Sequence, residues 1–362
     1  MSNSRVFSRR SLLGSASASV AVASVFALAQ PSIAFGQSKS PNTDLCDDGE
    51  VLGQGAFRYR AHRHWGDLDR ARHPVKDCHG VTEDRDGRIV VLTNDIRNNL
   101  IAYDKGGKLL AAWENRFPTA HGLKIEHHRD GDRYWITDHD VQCLSVGTVD
   151  GKELMRIGPD AVASKYPNLN FYHPTNSAFT ADGDFFISDG YGSSFIHHFD
   201  PKGRYIASFG GVGKAESNLS EPHAVWIDSR SGKPLLLVCD RGNEMLKWFS
   251  LAGELLRIVP VPGARPSNVA QFHAAERGNE KHIAIASLNG MILILDGEDH
   301  VVSVVGGEPA IYVEGKLQPL QVFNTTFNHP HDVYVDADGA LYVPQWWSNQ
   351  TYPIKLELLG KS

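Results

Sequence analysis

Six positions along this chain hold residues that could assemble a metal centre. His79, His121, Thr175, His223, Ser267 and His331 each follow a small residue or Pro and precede a β-run, at intervals of 42, 54, 48, 44 and 64 residues. Four of the six are His, although His makes up only 17 of 362 residues, so chance placement does not account for the register. Neutral imidazole nitrogens bind zinc and similar divalent ions directly. Three protein ligands with a fourth position left open would make such a site catalytic rather than structural. The same imidazoles would also serve as polar filler at the mouth of a channel, and spacing leaves both readings open.

Side chains about 45 residues apart meet only if the chain repeats a structural unit around a common axis. The unit is legible. A polar ring residue is followed by a β-run, an Asp-Gly turn, a second β-run, a polar turn and a third run. It is clearest in Pro174-Thr175-Asn176, Asp182-Gly183, Phe185-Phe186-Ile187-Ser188-Asp189-Gly190-Tyr191 and Phe195-Ile196-His197-His198-Phe199. A total of 34 Gly and 18 Pro spread along the chain supplies the turns of an all-β protein. The pattern resembles the NHL repeat, which implies an all-β, six-bladed β-propeller with four-stranded blades. The long last interval carries an insertion, roughly 306–321, expected as a surface loop. Because a propeller closes by borrowing a strand from the opposite terminus, Phe57-Arg58-Tyr59-Arg60 is expected to complete the last blade. The domain reading is a signal segment over 1–36, a linker over 37–56 and the propeller over 57–362.

Three stretches resemble the peptidyl-α-hydroxyglycine α-amidating lyase, a zinc-dependent propeller that completes peptide amidation. They are His121-Gly122-Leu123 with Tyr134-Trp135-Ile136-Thr137-Asp138, then Pro174-Thr175 with Ile187-Ser188-Asp189-Gly190-Tyr191, then Pro330-His331-Asp332-Val333. Pro222-His223 and Asp240-Arg241 follow in the order that family uses. The resemblance implies zinc on His121, His223 and His331, from blades 2, 4 and 6, with His79 outside the triad. It gives Tyr191 the role of base and Arg241 that of substrate holder. It also implies a structural calcium on Asp332 and the backbone carbonyls of Val81 and Leu123. The sequence departs from the family where a second substrate-binding Arg is replaced by Asn94, with Arg97 three residues on. His329 stands where the family has Met, and Gly192 where it has Cys.

The implied chemistry is the breakdown of a carbinolamide, a carbon bearing a hydroxyl and an amide nitrogen, to an amide and an aldehyde such as glyoxylate. A zinc-bound hydroxyl loses its proton more easily, and a phenol acting as base needs a nearby cation to favour its phenolate. Two other function classes compete. One is a non-catalytic periplasmic propeller that binds a small molecule or protein. The other is a calcium-dependent lactonase of the gluconolactonase type, which needs carboxylate and amide ligands at the axis where this ring shows His.

A formal net charge of −6, with no Lys/Arg run beyond the N-terminus, excludes the electrostatic footprint of a nucleic-acid binder. The partner expected is a small-molecule or peptide substrate. Ser8-Arg9-Arg10-Ser11-Leu12-Leu13 opens an Ala/Ser-rich apolar stretch that resembles a twin-arginine export signal. That implies passage through the twin-arginine translocase, a periplasmic or secreted destination and no stable membrane insertion after cleavage. Cys46, Cys78, Cys143 and Cys239 lack zinc-ribbon spacing and read as structural, with Cys46 and Cys78 the favoured pair if one forms. Trp113, Trp135, Trp226 and Trp248 are expected to pack between blades, one of Trp346 and Trp347 to line the pocket, and the pairs His127-His128 and His197-His198 to lie on the surface.

Overall fold

The computed structural model describes residues 49–360 apart from 70, 115, 274–280, 324–325 and 347–352. The signal segment, most of the linker, Cys46 and Trp347 therefore lie outside the described residues. Six antiparallel sheets form the blades of a propeller. Blade 1 comprises Cys78–Glu83, Ile89–Thr93, Leu100–Tyr103 and Leu109–Trp113. Blade 2 comprises Ala120–His128, Gly131–Asp138, Cys143–Gly147 and Glu153–Ile157. Blade 3 comprises Asn176–Phe179, Phe185–Ser188, Phe195–Phe199 and Tyr205–Gly210. Blade 4 comprises Pro222–Asp228, Leu235–Asp240, Met245–Phe249 and Leu255–Pro260. Blade 5 comprises Pro266–Gln271, Ile283–Ser287, Met291–Leu295 and Val301–Val305.

Blade 6 is assembled from both ends of the described chain. Tyr334–Val335, Leu341–Val343 and Ile354–Leu358 are joined by Phe57–His62, in the register Tyr59 with Leu358 and Ala61 with Leu356. Val51–Gln54, within the stretch expected as linker, adds a fifth strand. The Gln54 amide donates to the Val304 and Gly307 carbonyls at 3.2 and 3.1 Å and accepts from the Val304 N–H at 2.7 Å, stitching blade 6 to blade 5. The insertion carries a small hairpin, Tyr312–Val313 with Lys316–Leu317.

The middle strands of each blade are near-continuous apolar runs because both blade faces pack on neighbours. Ile89–Thr93 and Ile283–Ser287 are buried at every position. Between blades 1 and 2, Val90 and Leu92 meet Leu123, Tyr134 and Ile136; between blades 2 and 3, Trp135 and Leu144 meet Phe185, Ile187 and Phe199. The Asp-Gly turns are closed by a carboxylate that accepts backbone N–H groups, as Asp84 Oδ1 does from Asp86 and Arg88 at 3.0 and 2.9 Å, while Gly87 takes φ +75°.

Trp135 and Trp248 are buried as expected, while Trp113 and Trp226 are half-buried, under Arg88 and Lys124 respectively. His197 corrects the surface expectation: it is fully buried, 2.7 Å from both Tyr166 Oη and Ser208 Oγ. Neighbours in a strand do point to opposite faces, but in a propeller both faces are interior. Among the described residues no helix is long and apolar enough to cross a membrane.

Candidate metal centre

At four of the six ring residues the backbone bulges. In blade 1, Cys78 pairs with Thr93 and Gly80 with Leu92, leaving His79 as the extra residue. His121, His223 and Ser267 are extra in the same way in blades 2, 4 and 5. A bulge re-aims one side chain without ending the strand, and in these four blades it frees the ring residue from the ladder, while Thr175 and His331 stand just ahead of their blades' innermost strands.

Blades then divide by parity. His121 Nδ1 donates to the Thr175 carbonyl at 2.8 Å, His223 Nδ1 to the Ser267 carbonyl at 2.7 Å, and His331 Nδ1 to the His79 carbonyl at 2.8 Å. Each even-blade imidazole is thus oriented by the backbone of the following odd blade. A carbonyl only accepts, so Nδ1 carries the proton and Nε2 presents a lone pair. These lone pairs converge: His121 Nε2 lies 3.2 Å from His223 Nε2 and 3.1 Å from His331 Nε2, and the His223 and His331 ring centroids are 4.7 Å apart. Nitrogens around a tetrahedral zinc stand about 3.3 Å apart, given bonds of about 2 Å. The residues present fit such an ion. Burial and the neighbouring imidazoles hold His121 well below the usual histidine range. Burial and Arg241 do the same to His223, and burial pushes His331 down to about 3. All three rings are therefore neutral, the form that binds metal.

His79, His121 and His331 also offer nitrogens within 4.8 Å of one another, a rival set of three. The hydrogen bonds decide against it. Asn94 Oδ1 accepts from the Asp77 N–H at 2.9 Å, which turns the Asn94 Nδ2 donor toward His79 Nε2 at 3.4 Å. That leaves the proton on His79 Nδ1, which faces His331 Nε2 at 3.4 Å as a donor. His139, Asp140 and His173 form a second cluster. Both His173 nitrogens sit 2.9 Å from carbonyl oxygens, of His139 and Asn170, so that ring is turned to the backbone rather than to a shared ion.

Tyr191 closes the fourth side, its hydroxyl 3.0 Å from His121 Nε2 and 3.2 Å from His223 Nε2. Its loop is tied down by Asp189, which accepts from the His173 and Ser193 N–H groups and the Tyr166 hydroxyl, each at 2.6 Å. A Cβ at Gly190 would come within 2.6 Å of the Pro222 carbonyl, and one at Gly192 would overlap Asp189 and the Phe171 carbonyl. The Cys that the resemblance expects at Gly192 has no room. Arg241 lies 5.3 Å over the Tyr191 ring and donates to Glu221 Oε1 at 3.1 Å; Arg265 holds Glu221 Oε2 at 3.1 Å. Burial opposes the Arg241 charge, but Tyr191 and Glu221 outweigh it and push its pKa up. Its Nε and Nη1 are buried without a partner among the described residues.

The remaining expected residues are dispersed. Arg97 is two-thirds exposed and spends its guanidinium on Asp95, at 2.9 and 2.7 Å. His329, at φ +54°, donates to the Leu288 carbonyl at 2.8 Å and packs on Trp346. Asp332 Oδ2 accepts from the Val81 N–H at 3.2 Å and Oδ1 from Val333 at 2.7 Å; burial raises it to about 6, with Lys124 opposing. Val81, Leu123, Asp332 and Lys124 line one cavity of about 360 Å³. Reading the sequence missed the Thr175, Ser267 and His79 carbonyls, Glu221, Arg265 and His139, whose ring stands 5.5 Å from Tyr191. One signal was available: Asp138 and Asp240 end a second strand and Asp189 directly follows one, and His139, Tyr191 and Arg241 come within two residues.

Fold and site together define a six-bladed propeller with a three-imidazole pocket on its axis. Its similarity is to the amidating lyases. The chain is 28% identical over 258 residues to peptidyl-glycine alpha-amidating monooxygenase B of Xenopus laevis, matching 67% of this chain and 27% of that protein. It is 26% identical over 249 residues to a probable peptidyl-alpha-hydroxyglycine alpha-amidating lyase of Caenorhabditis elegans, 66% of this chain and 65% of that one. With peptidyl-alpha-hydroxyglycine alpha-amidating lyase 2 of Drosophila melanogaster it shares 26% over 255 residues, 68% and 56% of the two chains. The match thus spans about a quarter of the frog protein and less than two thirds of the nematode and fly proteins. No protein-family model matches the chain. Among solved structures, a streptogramin B lyase superposes with a TM-score of 0.53 at 13% identity, covering 86% of this chain and 100% of that one. Virginiamycin B lyase from Staphylococcus aureus gives 0.52 at 14%, covering 87% and 98%. These two likenesses show the fold.

Proposed function

We propose that this chain is a zinc-dependent carbon–nitrogen lyase of the amidating-lyase type, cleaving a carbinolamide to an amide and an aldehyde such as glyoxylate. The observation that carries this reading is the convergence of three neutral Nε2 atoms, each fixed by a backbone carbonyl through Nδ1, against a single tyrosine hydroxyl. His121, His223 and His331 would hold the ion. Zinc, when bound, supplies Lewis acidity that makes a substrate hydroxyl easier to deprotonate.

The protein's own residues account for the rest. Tyr191 as phenolate takes the hydroxyl proton, with the Arg241 guanidinium over its ring to favour that charge. The electron pair left on oxygen forms the aldehyde C=O as the C–N bond breaks, and the departing nitrogen takes a proton back from the Tyr191 hydroxyl to become the neutral amide. Arg241 Nε and Nη1 leave N–H donors for a substrate carboxylate on either side of the Nη2 that holds Glu221. Tyr191 is 37% exposed while Arg241 is 3% exposed, so substrate enters over the tyrosine and meets the guanidinium from within.

The test uses purified full-length protein. Elemental analysis should find about one zinc per chain, lost in His223→Ala, and α-hydroxyhippuric acid should yield glyoxylate and benzamide. Metal-free protein of unchanged stability would instead favour a binding scaffold. Export through the twin-arginine route to the periplasm is part of the same proposal; it rests on Arg9 and Arg10 and the apolar stretch after them.

A further inference from the structure

One residue beyond each ring position stand Gly80, Gly122, Asn176, Ala224, Asn268 and Asp332. Three of these present side-chain oxygens and three present a hydrogen or a methyl. Asn176, Asn268 and Asp332 are 3%, 3% and 2% exposed, and Asn176 Oδ1 has no donor among the described residues. Buried oxygen acceptors call for donors, and to one of these the protein supplies a cation. Lys124 leaves the innermost strand of blade 2 and reaches across to blade 5, where Nζ donates to Asn268 Oδ1 at 3.1 Å, and it lies 4.9 Å over the Trp226 ring of blade 4.

The same cavity that Lys124 enters is lined by Val81, Leu123 and Asp332, the three residues to which the family resemblance assigns calcium. The donor set does not fit that ion. Calcium takes six to eight oxygens at about 2.3–2.6 Å, whereas the lining of this cavity includes two carboxylates, and Asp332 already shares each of its oxygens with a backbone N–H, of Val81 and Val333. The other carboxylate of the cavity, Glu83, is taken by Lys105 at 3.0 Å and by the Tyr334 hydroxyl at 3.1 Å. A fixed ammonium among the few remaining acceptors repels a divalent ion and removes the need for one, since a buried carboxylate is stabilised by any opposite charge nearby.

We propose that Lys124 is a tethered cation in the seat assigned to calcium, so that this propeller balances Asp332 and closes its axis without that ion. The proposal does not require the zinc reading: Asp332 follows His331 in the chain, but the hydrogen bonds of Lys124 and Asp332 go to Asn268, Val81 and Val333 rather than to the imidazoles.

The decisive measurement is on the unaltered, zinc-loaded full chain purified without chelator. Its calcium content should be below about a tenth of an equivalent, and its thermal midpoint should move by less than about 1 °C when millimolar calcium chloride is added. Lys124→Ala should melt several degrees lower in calcium-free buffer and recover on calcium addition, while Lys124→Arg should behave as the unaltered protein. About one calcium per chain in the unaltered protein, or a calcium-dependent rise in its midpoint, overturns the proposal. So does a Lys124→Ala protein that keeps the original midpoint without calcium. The unaltered chain decides the matter even if the alanine variant fails to fold.

Discussion

At the scale of single residues, Tyr191 and Arg241 are separable by experiment because they touch different things. The Tyr191 hydroxyl faces two Nε2 atoms whose orientation comes from carbonyls, not from the tyrosine. Tyr191→Phe should therefore keep its metal and its fold, lose about 10²–10⁴-fold in kcat on α-hydroxyhippuric acid and leave KM nearly unchanged, the pattern of a lost proton carrier. Glyoxylate release and metal content, measured together, check this. Arg241→Gln should instead raise KM for a carboxylate substrate by about 10–100-fold, with a smaller effect on the corresponding methyl ester. His197 supplies a pH test away from the centre. Burial pushes its folded-state pKa down to about 3, against about 6.5 unfolded, so the unfolded chain binds the extra proton in that window. Its contribution to stability is complete above pH 6.5 and is lost as pH falls toward 3, at no more than about 1.4 kcal/mol per pH unit. Asp189, raised to about 6 by burial, titrates with the opposite sign, so the total slope mixes the two. The difference in unfolding free energy between the natural protein and His197→Gln isolates the histidine, and it should shrink as pH drops from 6.5 to 4.

At the scale of elements, the closing strand Phe57–His62 carries more of the fold than its position near the signal segment suggests. Tyr59 is fully buried within the cluster that joins blades 5 and 6, together with Ala61, Phe272 and Leu341. Tyr59→Ala should cost about 3–5 kcal/mol, and Gln54→Ala, which loses three bonds to blade 5, about 2 kcal/mol; urea denaturation midpoints measure both. This strand was legible in advance because an open sheet edge is a liability that a propeller removes by pairing its ends. The ring register was legible too, since Pro or a small residue marks each strand start. The bulges that turn His121 and His223 inward were not, because a bulge is defined by its partner strand and leaves no mark on its own sequence. Lys124 was missed for a related reason. Three residues past the ring it reads as a solvated lysine, and only the Asn268 amide oxygen and the cavity it shares with Asp332 give it a buried task.

At the scale of the whole molecule, the triad is the point where blades 2, 4 and 6 meet without any strand pairing among them. Three buried lone pairs lie close together there, His121 Nε2 at 3.2 Å from His223 Nε2 and 3.1 Å from His331 Nε2, with the Tyr191 hydroxyl and His79 Nδ1 protons to share. Under the zinc proposal a bound ion would convert that unfavourable meeting into a tie across the axis, and an ion that binds only the folded chain stabilises it by RT ln(1 + [L]/Kd), about 4 kcal/mol at a thousandfold excess over Kd. Zinc added to chelator-stripped protein should accordingly raise the thermal midpoint by several degrees, rising with the logarithm of free zinc. His121→Ala should abolish the dependence. His79→Asn should retain it, since what blade 1 gives the triad is a backbone carbonyl at 2.8 Å from His331 Nδ1, which any residue supplies. If the imidazoles were polar filler, zinc would leave the midpoint unmoved and His121→Ala would relieve the crowding of lone pairs, so the two readings predict opposite signs for one substitution in one melt.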